Sequence, residues 1–339
     1  MKAKFAGDIF PQNKEEAKKL YREMAKKWHP DINKTPNANE VFAKLTELYD
    51  KAMNLDENGV YLKSDTILFK SIQGKTHKIS FNSENAFELG KIYTADSVIV
   101  YVLEKKHKTF FDNALNQIKK LKYFNDEMKK EFEKYMPTII DSFETKDSFV
   151  LILKKTKDLY LLKDVLNYFD GKLPHRHVAW IMGSLYNIVC FFNYNNISHN
   201  SISIDNYLIS PLFHSGLIAG GWWYTVNQDE KMIGVKKETF MIMPNKSKNS
   251  KTASIKTDLE SIRLIGRQLL GNPSGNIVDS DVPLPFLQWL KGTSSNNPYE
   301  EYSLWQKVLD KSYGKREFIE LKIDKNTFYK KLKEEIKNG

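Results

Sequence analysis

Cysteine is all but missing from this chain: Cys190 stands alone among 339 residues. That excludes a disulfide framework and any zinc site built on several cysteines. No stretch approaches 18 consecutive apolar residues, so no membrane-spanning helix is expected. The opening residues, MKAKFAGDIFPQNKEE, hold no apolar run of signal-peptide length, and the expected location is the cytoplasm. Neither sign of charge is scarce, with 52 Lys and Arg against 42 Asp and Glu for a net of +10. Residues 1–54 carry 11 basic and 8 acidic side chains, so the excess is spread along the chain. Spread charge reads as a solvated surface, and no basic stripe interleaved with aromatics marks a nucleic-acid partner. His175, His177 and His214 have no ligand spacing with a cysteine or carboxylate, so neither a metal site nor a cofactor is expected.

Apolar residues, by contrast, are plentiful. Hydrophobics make up 41% and aromatics 13%, enough for a sizeable core and too much for a disordered chain. The length suggests about two domains. In the first, KEEAKKLYREMAKKW predicts a helix over 14–28, with Ala17, Leu20, Tyr21, Met24 and Trp28 on one apolar stripe. Lys18, Lys19, Arg22 and Lys26 project together from the opposite face. Pro30 ends this helix, because it disfavours a helical conformation at His29 and has no N–H to donate. A second helix starts near Asn37, with Val41, Phe42, Leu45, Leu48, Tyr49, Ala52 and Met53 as its stripe. The two form an antiparallel hairpin around a loop of about nine residues.

That loop opens His29-Pro30-Asp31. The pattern YREMAKKWHPDINK followed by EVFAKLTELYDKA resembles the J domain of DnaJ-type co-chaperones over about 40 residues. The resemblance implies that His29, Pro30 and Asp31 contact a DnaK-type chaperone ATPase and trigger its ATP hydrolysis. It also implies that Lys18, Lys19, Arg22 and Lys26 dock the acidic chaperone surface. The family's first helix would precede Gln12, where only Phe5, Ile9 and Phe10 can supply packing, and a fourth helix after Met53 is not apparent. The module, residues 1–57, is therefore a minimal one.

Beyond NLDENG the pattern turns strand-like, in YLKSDTILFKSI, KTHKISF, FELGKIYTA and SVIVYVLE. A helix over roughly 108–121 and strands near 138–143 and 148–153 follow, and past Asp158 the chain reads as mostly helical. This is an α+β architecture in two lobes, about 61–156 and 157–339. The run His199-Asn200-Ser201-Ile202-Ser203-Ile204-Asp205-Asn206, after an apolar helix, is similar to the protein-kinase catalytic loop. His199 and Asn206 stand at the ends of that frame, and Ser201 stands where the catalytic aspartate would be. Ala219-Gly220-Gly221 occupies the place of the metal-binding Asp-Phe-Gly. Asp258 matches the aspartate that anchors the catalytic-loop backbone, and Tyr101 falls at the position of the nucleotide-binding lysine. The resemblance thus implies a kinase-like fold over 61–339 without the groups for phosphoryl transfer. Loss of the base alone costs about 10²–10⁴ in rate, and transfer rests on positioning and charge stabilisation.

The expected function is that of a co-chaperone adaptor. Its first module recruits a DnaK-type ATPase, and its inactive kinase-like body binds a protein client. An atypical nucleotide-binding regulator or phosphotransferase is the alternative. The combination also resembles proteins of large tailed bacteriophages, which would make the chaperone a host one. The cluster Gly220-Gly221-Trp222-Trp223-Tyr224 reads as core in preference to an exposed binding surface, and NKSKNSKTASIK (245–256) as a solvated basic loop.

Overall fold

A computed structural model describes residues 9–11, 14–30, 32–53, 66–275, 281–315 and 317–338. The chain divides into two compact units, 1–82 and 83–339. The expected boundary near 57–61 lies outside the described residues, and the first division in space comes after Asn82, beyond a strand pair.

In the first unit, α1 (Lys14–Trp28) and α2 (Ala38–Met53) form the expected hairpin. Glu15 and Glu16 sit in the first turn of α1 and Lys26 and Lys27 in its last, each complementing the helix dipole. Asn37 stands at the N-cap of α2, its carbonyl accepting from Val41 N at 3.0 Å. Ala17, Leu45, Leu48 and Ala52 are buried between the helices. The packing expected of Phe10 is present: the ring is 2% exposed and meets Tyr21 and Tyr49 edge-on or tilted. Tyr21 and Tyr49 stack at 3.9 Å. The fourth-helix region after Met53 lies outside the described residues. The unit also contains the antiparallel pair β1 (Thr66–Lys70) and β2 (Thr76–Ser80), joined by a turn at Gly74.

The second unit opens with a five-stranded antiparallel sheet. Its strands are β3 (Ser83–Phe87), β4 (Gly90–Thr94), β5 (Val98–Glu104), β6 (Ile139–Glu144) and β7 (Ser148–Lys154), in the order β3-β4-β5-β7-β6. Central β5 and β7 are apolar on both faces, as strands covered on both sides must be. Helix α3 (Lys108–Lys119) packs Phe111, Ala114 and Ile118 into the core, and a short α4 (Asp126–Phe132) is capped by Asn125. The β3–β4 turn is tight, and a Cβ on Gly90 (φ +154°) would strike the Val102 carbonyl.

The remainder is mostly helical, as expected. Strand β8 (Tyr160–Leu161) leads into α5 (Leu162–Tyr168) and the long α6 (His175–Tyr194). Short strands β9 (Ile197–Ser198), β10 (Tyr207–Ser210), β11 (Ser215–Ile218) and β12 (Val226–Asn227) pair as β11-β10-β8 and β12-β9. Helices α7 (Lys237–Ile242), α8 (Asn245–Ser250), α9 (Ile255–Leu269), α10 (Leu284–Lys291), α11 (Pro298–Tyr313) and α12 (Lys325–Asn338) complete the unit. The stretch expected as a basic loop from residue 245 therefore holds a helical turn and a half, and Ser254 caps α9 from within it. Helix α6 is apolar on most sides because α9 and α11 both cover it. Cys190 on α6 is buried, and burial pushes its thiol up to about 12. One continuous apolar core runs from the sheet through α6 and α9 to α12.

Candidate functional site

The first site begins on α1. Lys18, Arg22 and Lys26 recur every fourth residue, and with Lys19 all four side chains are exposed on one face. This is the basic face read from the sequence. The helix delivers His29 directly after Trp28, its N–H donating to Ala25 O at 2.8 Å. The His29 ring then lies edge-on to Phe42 of α2, with centroids 5.0 Å apart. Its carbonyl receives Ile32 N and Asn33 N at 2.9 and 2.8 Å, closing the loop into a tight turn. The Pro30 carbonyl accepts from Lys34 Nζ at 3.2 Å. Asp31 lies outside the described residues.

Sequence reading passed over the residue that organises this turn. Asn33 Nδ2 donates to Lys27 O at 3.1 Å, and Asn33 Oδ1 accepts from Thr35 N and Thr35 Oγ1 at 3.1 and 2.6 Å. Its side chain ties the end of α1 to the far arm of the loop, as asparagine does in Asx turns. Phe42 is likewise more than a stripe residue, since it is the platform on which His29 rests.

A second constellation is built on α9. Asp258, fully buried, accepts from the backbone N–H groups of His199 (2.7 Å) and Asn200 (2.8 Å) and from Ser198 Oγ (3.2 Å). The Asp258 carboxylate thus ties the backbone of His199 and Asn200 to α9. Burial pushes its carboxyl up to about 7, against the pull of these hydrogen bonds. His199, 0% exposed, stacks on Phe192 and meets Trp222 edge-on; burial lowers its pKa to about 3, so the imidazole is neutral. Asn200 adopts a left-handed backbone (φ +59°) and its amide donates to Ser198 O and Tyr224 O, both at 3.1 Å.

Ser201, Asn206, Ala219 and Gly221 converge beside it. Asn206 Nδ2 donates to Ser201 O and Ser201 Oγ at 2.8 and 2.9 Å, while its carbonyl accepts from Ala219 N and Gly220 N. A Cβ on Gly221 (φ +86°) would strike the His199 ring. Ser201 thus presents a hydroxyl and Ala219 a methyl at this point, neither of which is a strong base.

Tyr101 on β5 reaches the same region and is wholly buried. It forms an aromatic cluster with Phe87 and Trp223, with centroid distances of 5.8, 5.2 and 5.0 Å among the three. Trp222, Trp223 and Tyr224 are buried, as the core reading expects. Lys236 joins Glu88 of the β3–β4 turn and Asp205 at 3.3 and 3.6 Å, and Lys163 pairs with Asp205 at 3.0 Å. These ion pairs were not visible in the sequence, because their partners lie far apart along the chain.

Among the described residues, no group of three His, Cys, Asp or Glu is placed to hold a metal ion. No described helix is long and apolar enough to cross a membrane.

Comparison with known proteins bears on the first site. Residues 11–54 match the DnaJ domain family. This region is 49% identical over 49 residues to DnaJ homolog subfamily B member 5 of Homo sapiens, covering 14% of each protein. It is 57% identical over 37 residues to Chaperone protein DnaJ of Geobacillus sp. (strain WCH70), covering 11% of this chain and 10% of that one. With Chaperone protein DnaJ of Streptococcus mutans serotype c it shares 43% over 49 residues, 14% of this chain and 13% of the other. The chain thus spans about a seventh or less of the length of these relatives. Residues 11–54, a helical hairpin with a basic first helix and a His29-Pro30 turn, are a J domain of the DnaJ type.

Proposed function

We propose that this protein is a J-domain co-chaperone that acts in the cytoplasm on a DnaK-type chaperone ATPase. The observation that carries the reading is the His29 turn, held on Phe42 and Ala25 at the end of the exposed basic face. In this reading His29, Pro30 and Asp31 trigger ATP hydrolysis, and Lys18, Lys19, Arg22 and Lys26 set the docking register against acidic side chains. Single-turnover ATP hydrolysis by a DnaK-type chaperone tests it. Wild type accelerates the turnover and His29→Gln does not; equal rates for both, with chaperones from two sources, would refute the proposal.

The second unit serves, in this proposal, as a catalytically inactive kinase-like body that holds a protein client. Covalent linkage to the J domain then raises the effective concentration of the recruited chaperone at that client. Support for the kinase-like reading comes from Asp258 anchoring the backbone of His199 and Asn200. Support for inactivity comes from Ser201, Ala219 and the buried Tyr101, none of which supplies phosphoryl-transfer chemistry. Against the nucleotide-binding alternative stands Tyr101, which offers no cation and packs, wholly buried, with Phe87 and Trp223.

A further inference from the structure

Lys155, just after β7, is only 4% exposed, although Lys154 and Thr156 on either side are exposed. Its Nζ donates to Thr156 O at 2.9 Å and to Asp96 O at 3.3 Å. The Asp96 carboxylate is engaged by Lys325 at 2.6 Å. Two acceptors satisfy a neutral amine, which has two N–H bonds and keeps a lone pair; an ammonium would carry a third N–H into a buried site. Desolvation, helped by the Lys325 charge and opposed by Asp96 and Asp158, lowers the pKa of Lys155 to about 8. Against an ordinary lysine this raises the share of neutral amine near pH 7.5 about 200-fold.

Lys155 also lines an open cavity of about 680 Å³, a size suited to a small molecule. Lys134, Lys154 and Thr138 contribute polar lining and Met136, Leu159 and Leu217 apolar lining. Glu133 and Asp158 are present too, but the Asp158 carboxylate is hydrogen-bonded by the Ser210 and Thr156 hydroxyls. Three lysines on one cavity, one of them with part of its amine neutral near pH 7.5 and so able to act as a nucleophile, fit a ligand that is both anionic and electrophilic.

We propose that Lys155 is the nucleophile of a covalent binding site for small anionic aldehydes, whose phosphate or carboxylate is held by Lys134 and Lys154. The Lys155 lone pair adds to the aldehyde carbon. The carbinolamine then loses the former carbonyl oxygen as water, which takes both amine hydrogens, and a C=N bond replaces C=O. A proton from solvent gives the imine one N–H, enough to return to Thr156 O. The site is independent of chaperone recruitment.

The test uses the full chain with pyridoxal 5′-phosphate as probe, traps imines with borohydride and locates them by peptide mass spectrometry. Lys155 is expected to carry the dominant adduct, with saturable labelling that rises with pH to a midpoint near 8. Pyridoxal without its phosphate should label about tenfold less at equal concentration. Lys155→Arg should abolish the adduct. Lys134→Gln with Lys154→Gln, both at exposed positions, should reduce labelling to the level of pyridoxal without altering the melting temperature. Should Lys155→Arg fail to fold, the double variant decides alone. Adducts spread over surface lysines in proportion to exposure, or labelling of Lys155 that is unsaturable and indifferent to phosphate, would overturn the proposal.

Discussion

Asp258 Oδ2 accepts the backbone N–H of His199 at 2.7 Å, joining α9 to a loop 59 residues earlier. With Asn200 N and Ser198 Oγ, three buried donors converge on this carboxylate. Leaving a buried donor unpaired costs about 1–3 kcal/mol. Asp258→Ala should therefore destabilise the second unit by at least about 3 kcal/mol, and Asp258→Asn, which retains one acceptor oxygen, by less. Denaturant unfolding followed by tryptophan fluorescence measures both, since Trp222 and Trp223 lie close by.

The aromatic cluster predicts both a stability and a binding result. Trp223→Ala removes a fully buried side chain packed on Phe87 and Tyr101, and should cost about 3–5 kcal/mol. Magnesium-ATP should not raise the melting temperature of the wild type. Tyr101→Lys should not confer phosphotransfer, because Ser201 and Ala219 still lack carboxylates. A clear thermal shift with ATP would contradict this account of the second unit.

Arg263 and Glu301 form an ion pair with side chains only 2% and 1% exposed. The guanidinium also lies over the Trp289 ring at 4.0 Å and donates to the Trp289 carbonyl. Glu301 Oε2 accepts from Ser295 N at 2.7 Å. Removing one member of such a pair leaves a buried charge and costs about 3–5 kcal/mol. Glu301→Ala should fall in that range, while an Arg263→Met, Glu301→Leu double variant should recover much of the loss. A double-mutant cycle in urea gives the coupling.

Acidification should weaken the second unit between pH 6.5 and about 4. Burial lowers His199 to about 3 and His177 to about 4, while the unfolded chain takes up protons near 6.5. In that window the unfolded state binds more protons, so stability present above pH 6.5 is lost as pH falls. Asp258 acts in the opposite sense: its carboxyl is raised to about 7, so its contribution is complete below about 3.8 and declines as pH rises. Two histidines outweigh one carboxyl, and the melting temperature should fall by several degrees between pH 6.5 and 4.5. His177→Gln should make that fall shallower; identical slopes would remove His177 from the explanation.

Chaperone stimulation should depend on salt. The exposed α1 cations lie within a Debye length of any docked surface at low ionic strength, about 30 Å at 0.01 M. Arg22→Glu with Lys26→Glu should weaken apparent affinity for the chaperone at least tenfold in low salt. The difference from wild type should shrink near 0.5 M salt. A loss that persists unchanged at high salt would indicate damage to packing instead.

The hairpin was legible because its signals are local: α1 runs over Lys14–Trp28 as its stripe requires, and Pro30 stops it. Asp258 was singled out by a resemblance and not by periodicity, and the structure gives its carboxylate the backbone N–H groups of His199 and Asn200 as donors. What escaped notice depends on distance in sequence or on weak patterning. Strand β3, Ser83–Phe87, is half polar, because it forms one edge of the sheet and buries little beyond Ser83. The pairing of Lys236 with Glu88, the edge-on contact of Tyr101 with Trp223 and the burial of Lys155 each join segments that no periodicity links. Asn33 was overlooked because a single polar loop residue carries no pattern at all.

Cys190 has a practical consequence. Its thiol is buried on α6, held near the Pro298 carbonyl, and almost wholly protonated at neutral pH. Maleimides and other thiolate-seeking reagents should leave it untouched, so the wild-type chain already serves as a silent background for site-directed labelling. One cysteine introduced on the exposed face of α1 and another on α12 would carry a dye pair or two spin labels. The distance distribution between the J domain and the rest of the molecule could then be followed as a chaperone is added.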